Sequence, residues 1–238
     1  MLPDGGNMEN KIIDREEQKY YLSEKQYKDL ISLIDNKIKA DEYFSETIYN
    51  IYFDNNNFEI INRSLEKPFY KEKIRLRSYE KTNLDTLVFL EIKKKFGSNS
   101  NKRRVIIKYK DFMNYLNNGQ IPDTDTQIMK EIDYCFKKYK LKPKIKIRYD
   151  RYAYLLKSDD NFRITFDTNV RYNLFDFDFN NTKDDLKFLN EGYIMEIKTF
   201  NGIPLWLNKI LLKLRIYPTS YSKVGKIFES LKESNIYV

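Results

Sequence analysis

Apolar and polar residues alternate with a period of two through Lys73-Ile74-Arg75-Leu76-Arg77-Ser78-Tyr79 and again through Phe89-Leu90-Glu91-Ile92-Lys93-Lys94-Lys95. That is the side-chain period of a β-strand, so each stretch puts charges on one face and aliphatic residues on the other. The alternation recurs at Arg15, Glu17 and Lys19, at Lys102 and Arg104, at Tyr149 and Arg151, at Arg163, Thr165 and Asp167, and at Glu196 and Lys198. On any one strand such a face is simply the solvated side of an antiparallel sheet. Six or seven strands carrying nearly one sign of charge predict more. They predict a closed or strongly curved sheet with a basic concave face and apolar outer faces covered by helices.

The remaining pattern fills in the elements. A strand is expected over Lys11–Tyr21, then a helix N-capped by Ser23 with apolar residues at helical spacing as far as Ile38. Further strands are read at Thr47–Asp54, Phe69–Glu80, Thr86–Phe96, Lys102–Lys108, Lys142–Leu155, Phe162–Arg171 and Tyr193–Phe200, with Gly97–Asn101 as a hairpin loop. Helices are expected at Phe58–Leu65, from a cap at Asp111 to Leu116, and over Thr124–Tyr139, Pro204–Leu214 and Tyr221–Leu231. The Asn- and Asp-rich stretch Asn173–Asn190 is weakly patterned and is expected to be a flexible excursion. No repeat or linker divides the chain, so residues 11–238 read as one domain behind a polar tail, residues 1–10.

Composition narrows the chemistry. The 238 residues carry a formal net charge of +8, which calls for an anionic partner. There is no histidine and one cysteine, Cys135, read as a packing residue. Disulfide scaffolds, Cys/His metal sites and Ser-His or Cys-His nucleophiles are therefore excluded. Any metal must be held by oxygen, which favours Mg2+ or Mn2+. Arginines two apart on a strand suit the paired oxygens of phosphate, and the interleaved glutamates are placed to hold a cation against it. Glu17 and Glu91 each stand near Lys residues and read better as internal ion pairs than as ligands. Nucleic acid is disfavoured as the partner, because most of the 20 Tyr and 16 Phe sit beside Ile and Leu at core spacing. No stretch has the length of a membrane span, and the expected location is the cytoplasm.

The stretches Arg15-Glu16-Glu17-Gln18-Lys19-Tyr20, Ile51-Tyr52-Phe53-Asp54, Lys73–Tyr79, Glu91-Ile92-Lys93, Lys102-Arg103-Arg104, Tyr149-Asp150-Arg151, Arg163–Thr168, Glu196-Ile197-Lys198 and Ser222-Lys223 resemble, in this order, the VTC domain. That is the catalytic domain of vacuolar transporter chaperone polyphosphate polymerases, within the triphosphate tunnel metalloenzymes. The resemblance implies an α+β fold: an eight-stranded antiparallel β-barrel (a CYTH-like triphosphate tunnel) with helices packed outside. It implies catalytic phosphate contacts from Lys19, Arg75, Arg77, Lys93, Arg151 and Lys198. Further substrate contacts are implied from Lys95, Lys102, Arg104, Tyr149, Arg163, Ser222 and Lys223, with Glu196 as the metal-binding carboxylate for Mn2+ or Mg2+. The implied partners are a nucleoside triphosphate and polyphosphate, the implied activity polyphosphate synthesis. A triphosphatase of the same fold and a non-catalytic polyphosphate or nucleic-acid binder are the alternatives. The chain departs from the pattern in having Arg15 at the first Glu of Glu-x-Glu-x-Lys. Lys95 stands where eukaryotic domains have His, and Ser220 stands where they have Lys.

Overall fold

Alternation fixes which side chain of each strand faces which way, and pairing then assembles the strands. The computed structural model describes residues 16–66, 68–97, 99–122, 126–188 and 192–234. The expected polar tail, and Arg15 with it, lie outside the described residues. The elements are β1 (Glu16–Leu22), α1 (Glu24–Ile34), β2 (Ile38–Asp54), α2 (Glu59–Leu65), β3 (Tyr70–Ser78), β4 (Leu87–Phe96) and β5 (Asn99–Lys108). They continue as α3 (Tyr109–Asn118), α4 (Gln127–Tyr139), β6 (Lys142–Leu156), β7 (Asp159–Asn173), β8 (Leu186–Lys187), β9 (Tyr193–Thr199), α5 (Leu205–Lys213) and α6 (Lys223–Glu233).

The strands form one antiparallel sheet in the order β1-β9-β7-β6-β2-β3-β4-β5, with the short β8 added to β7. The expected closed barrel does not form: among the described residues, edge strands β1 and β5 do not pair with each other. Curvature nevertheless brings β1 towards β4, where Glu17 Oε2 lies 3.8 Å from Lys93 Nζ. Hydrogen-bonded backbones must approach to about 4.8 Å, and the long charged side chains that fill this gap hold the strands farther apart. The result is a trough closed by side chains.

Outer faces are apolar and helix-covered, as expected. Ile74, Leu76, Leu90, Ile92 and Val105 pack under Phe112 of α3 and Met129, Ile132 and Cys135 of α4. Tyr20, Leu22, Ile164, Phe166, Met195 and Ile197 pack under Leu30 and Ile34 of α1 and Leu207 and Leu211 of α5. The last helix departs from the expectation. Ile48, Asn50 and Tyr52 of β2 stand directly opposite Tyr149, Ile147 and Ile145 of β6. All six share the concave face with Arg75 and Arg77, which pair with Tyr52 and Asn50. Val224, Ile227, Phe228 and Leu231 of α6 pack against Ile48, Ile145 and Ile147 of this same face. So α6 fills part of the concave side, because that part of the sheet is aliphatic and would otherwise be wet.

A bulge completes the concave face. The β6–β7 register shifts between Arg148 and Asp150. Asn169 there has φ +50°, a left-handed conformation that Asn tolerates better than most residues. The extra residue lets Asp167 face inward towards the charges while Val170 and Tyr172 face inward towards α6.

Residues 174–185 are pinned to the outer face and are not the expected flexible excursion. Buried Lys146 donates to the carbonyls of Asp178 (2.8 Å) and Asn181 (2.6 Å) and lies 3.3 Å from Asp185 Oδ1. Arg148 binds the other oxygen of Asp185 at 2.6 Å, and Phe179 is fully buried. Lys146→Met should therefore release this segment first, at a cost of about 2 kcal/mol, because Arg148 still pairs Asp185. Limited proteolysis would detect early cleavage between residues 174 and 187; unchanged resistance would contradict it.

Smaller differences have local causes. Ser23 and Gln26 make the capping box of α1, as its sequence indicates. Helix α3 instead begins at Tyr109 behind an uncapped Lys108, so Asp111 sits in the first turn, where it favours the helix dipole rather than capping. Phe96 pairs with Asn99, so the β4–β5 loop is tighter than the five residues expected.

Candidate phosphate-binding site

The concave face that α6 leaves uncovered encloses a cavity of about 470 Å3. Eleven lysines and arginines line it against four glutamates. That surplus of positive charge makes the cavity strongly electropositive. The wall built by β3, β4 and β5 turns on Glu91, whose side chain is almost fully buried. Arg75 Nε donates to Glu91 Oε2 at 2.6 Å, and Lys102 Nζ lies 2.6 Å from Oε1. Arg77 Nε donates to Asn50 Oδ1 at 3.0 Å and Arg75 Nη1 to the Tyr52 hydroxyl at 3.2 Å. Burial pushes the Glu91 carboxyl up, but Arg75, Arg77 and Lys102 outweigh it and hold it near 2. Glu91 is thus an ion-pair hub, as its neighbours in the sequence suggest.

Asp167 and Glu196 organise the facing wall. Asp167 accepts two hydrogen bonds from Arg151, 2.6 and 2.9 Å, and one from Lys223. Burial again acts to raise it, and the two cations bring it down to about 2. Glu196 Oε1 lies 2.5 Å from Lys198 Nζ, and its Oε2 lies 3.6 Å from Lys19 Nζ. Lys198, Lys19 and Arg151 overcome burial and keep Glu196 ionised well below the usual carboxylate range. Lys19 also lies 3.1 Å from Glu17. At the N-terminus of α6, Ser222 caps Gly225 and receives Lys73 Nζ at 2.9 Å.

Of the residues expected from the sequence, Lys19, Arg75, Arg77, Lys93, Lys95, Lys102, Tyr149, Arg151, Glu196, Lys198, Ser222 and Lys223 line this one cavity. Arg104 and Arg163 do not. Arg104 shares the concave face but lies over the Phe89 ring, 5.0 Å from its centre. Arg163 is drawn towards Asp41, 2.8 Å away. Sequence reasoning left out Lys71 and Tyr52, did not give Lys73 a place in the site, and missed the anchoring part of Asp167. Lys73 carries the same alternation as Arg75 and Arg77, so its place was available in the pattern. The part of Asp167 was not, since it depends on Lys223, 56 residues away.

Two lysines are held at the edge of ionisation. Burial lowers Lys73 to about 8, with the Tyr52 hydroxyl opposing and Lys71, Lys19 and Lys93 reinforcing. Burial likewise lowers Lys102 to about 8, opposed by Glu91 and reinforced by Arg75 and Arg77. Both values lie below the ordinary 10.5, so between about 8 and 10.5 the unfolded chain binds more protons than the folded one. These lysines therefore oppose folding below pH 8, and that opposition fades as pH rises through the window. Anion affinity moves the other way. Tripolyphosphate should bind more weakly from pH 8 to 10, with protons taken up on binding. Calorimetry in buffers of different ionisation enthalpy reads this directly, and heats independent of buffer would contradict it.

As to a metal, no group of three or more Asp, Glu, Cys or His side chains converges among the described residues. Glu196 and Glu17, on either side of Lys19, are one or two oxygen ligands at most. That donor set fits a hard cation which arrives with its phosphate, since Mg2+ is ordinarily held by one or two carboxylates plus phosphate oxygens and water.

The chain thus folds as an antiparallel trough with helices outside and an interior lined by arginine and lysine. The fold comparison agrees. A Bacillus halodurans protein described as a candidate adenylate cyclase superposes with a TM-score of 0.55 at 15% identity, covering 90% of this chain and 98% of that one. A Hippeastrum protein described as a candidate adenylyl cyclase with a dominant triphosphatase activity gives 0.50 at 12% identity, covering 90% and 94%. Residues 14–232 match the VTC domain family, and the chain belongs to that family. Subunit 4 of the vacuolar transporter chaperone complex from Trypanosoma cruzi is 29% identical over 164 residues, 55% of this chain. The match spans only 20% of that relative's length.

Proposed function

We propose that the protein is a metal-assisted phosphotransferase that moves the γ-phosphoryl group of a nucleoside triphosphate onto the end of a polyphosphate chain. The observation that carries this reading is the convergence of Arg75, Arg77, Arg151, Lys19 and Lys198 on one cavity with an ionised Glu196 that faces Lys198 and Lys19. Phosphoryl transfer needs no protein nucleophile; it needs alignment and charge stabilisation. A terminal phosphate oxygen of the chain attacks the γ-phosphorus, the bond from that phosphorus to the β–γ bridging oxygen breaks, and the nucleoside diphosphate leaves. Arg75 and Arg77, two apart on β3, hold adjacent phosphoryl groups from one wall. Arg151, fixed by Asp167, meets them from the other. Glu196, with Glu17 beside Lys19, would hold Mg2+ or Mn2+, which supplies further neutralisation of the charge developing on the phosphoryl oxygens.

The same trough is a triphosphatase if water is the acceptor, a reading favoured by the fold it shares with the Hippeastrum protein. The acceptor is not a residue, so products decide. Incubation with ATP and Mn2+ should yield nucleoside diphosphate and long anionic polymer. Orthophosphate alone would mean hydrolysis, and neither product would sink both readings. None of the helices among the described residues has the length and apolarity to cross a membrane.

A further inference from the structure

Helix α5 covers the outer face of the sheet with Leu207 and Leu211, packed among Tyr20, Leu22, Ile164 and Phe166 of the strands. A helix in that place ordinarily turns a polar side to water. The far side of α5 does not. Leu205 is 69% exposed and Leu212 62%. At about 100° per residue, Leu205, Lys209 and Leu212 fall on one narrow stripe, with the two leucines about 10 Å apart along the axis. Trp206 and Lys213 flank that stripe on one side. Lys37 Nζ, from the turn after α1, lies 5.1 Å from the centre of the half-buried Trp206 ring. A single exposed leucine is ordinary. Here two stand on one stripe, and every charge on the helix is positive. The chain has 35 acidic residues, yet none occurs between Glu196 and Glu229.

We propose that this face of α5 is a docking surface for an anionic lipid bilayer, on which the protein lies without crossing it. Charge and apolarity are too closely interleaved here for other occupants. An acidic protein surface would pair Lys209 and Lys213 but offer nothing to Leu205 and Leu212. An apolar one would take the leucines and bury the lysine between them without a partner. A bilayer interface takes both at once. Leucines reach the acyl chains and tryptophan sits at headgroup level. Lysines extend their stems so that their ammonium groups stay among anionic headgroups. The surface lies on the convex side of the sheet, opposite the cavity. A docked molecule therefore keeps its basic trough open to water, where soluble anions reach it. The inference uses none of the trough residues, so it stands or falls apart from the phosphotransferase reading.

Trp206 is the only tryptophan of the chain, so the docking face carries its own reporter. The test mixes the full chain with vesicles of phosphatidylcholine alone or of phosphatidylcholine with phosphatidylserine. Tripolyphosphate is present in excess, to occupy the trough and keep its cations off the lipid. Vesicles with phosphatidylserine should sediment the protein, shift Trp206 emission to the blue and allow brominated acyl chains to quench it. Phosphatidylcholine alone should do far less. Leu205→Gln and Leu212→Gln together should weaken vesicle binding on the order of tenfold, and Lys209→Gln or Lys213→Gln about fivefold each. All four positions are exposed. Melting temperature and tripolyphosphate affinity should therefore stay at the parent's values, which separates lost docking from misfolding. Sedimentation with Trp206 emission unmoved would mean that another face meets the lipid, and would overturn the assignment. So would an absence of sedimentation. Binding lost in the lysine variants but kept in the leucine pair would point to an acidic protein as the occupant and overturn the lipid.

Discussion

Replacing Arg75 by alanine is expected to slow phosphoryl transfer by about a thousandfold, or about 4 kcal/mol of transition-state stabilisation. Arg75 lies at the centre of the cavity wall, tied to Glu91 and Tyr52 so that its guanidinium is held in place before substrate arrives. Its loss removes a bidentate phosphate donor and frees Glu91 towards the substrate with only Lys102 and the more distant Arg77 to restrain it. Arg75→Lys restores the charge without the fork and should recover only part of the rate. Nucleotide affinity and turnover measured together are the check. If Arg75→Ala lost affinity but turned over normally at saturation, Arg75 would be a binding group alone.

Glu196→Gln should instead separate anion binding from turnover. The substitution keeps shape but removes a negative charge held by Lys198 and Lys19 in a cavity already rich in cations. Metal-free binding of tripolyphosphate should therefore persist or tighten. Metal-dependent turnover should fall on the order of a hundredfold, the loss of one ligand to the cation. Parent-like turnover would show that Glu196 serves only to orient the two lysines.

Much of this site was legible in the chain because strand periodicity is local. Lys73 to Arg77 and Glu91 to Lys95 declare their shared face within five residues, and β3 and β4 end within a residue or two of where alternation ends. What the sequence concealed depends on distant partners. The first half of β2 is largely exposed and carries no alternation, so its start at Ile38 was read as late as Thr47. Residues 174–185 read as loose because their partners, Lys146 and Arg148, lie on another strand. The helical spacing of Val224, Ile227, Phe228 and Leu231 reveals an apolar stripe, but nothing in a stripe says on which side of a sheet it will land. Strand pairing decides that, and pairing also decides that β1 and β5 stay apart.

The inward position of α6 gives the chain's last helix two masters. Its hydrocarbon side stops one part of the trough, while its first residues, Ser222 and Lys223, reach into the charged part. Whatever anion engages those two residues also seats the stopper, and whatever loosens the stopper withdraws two of the hands that hold the anion. Occupancy of the site and resistance to unfolding are thereby geared together, so that any anion held by Ser222 and Lys223 also fastens the core behind them.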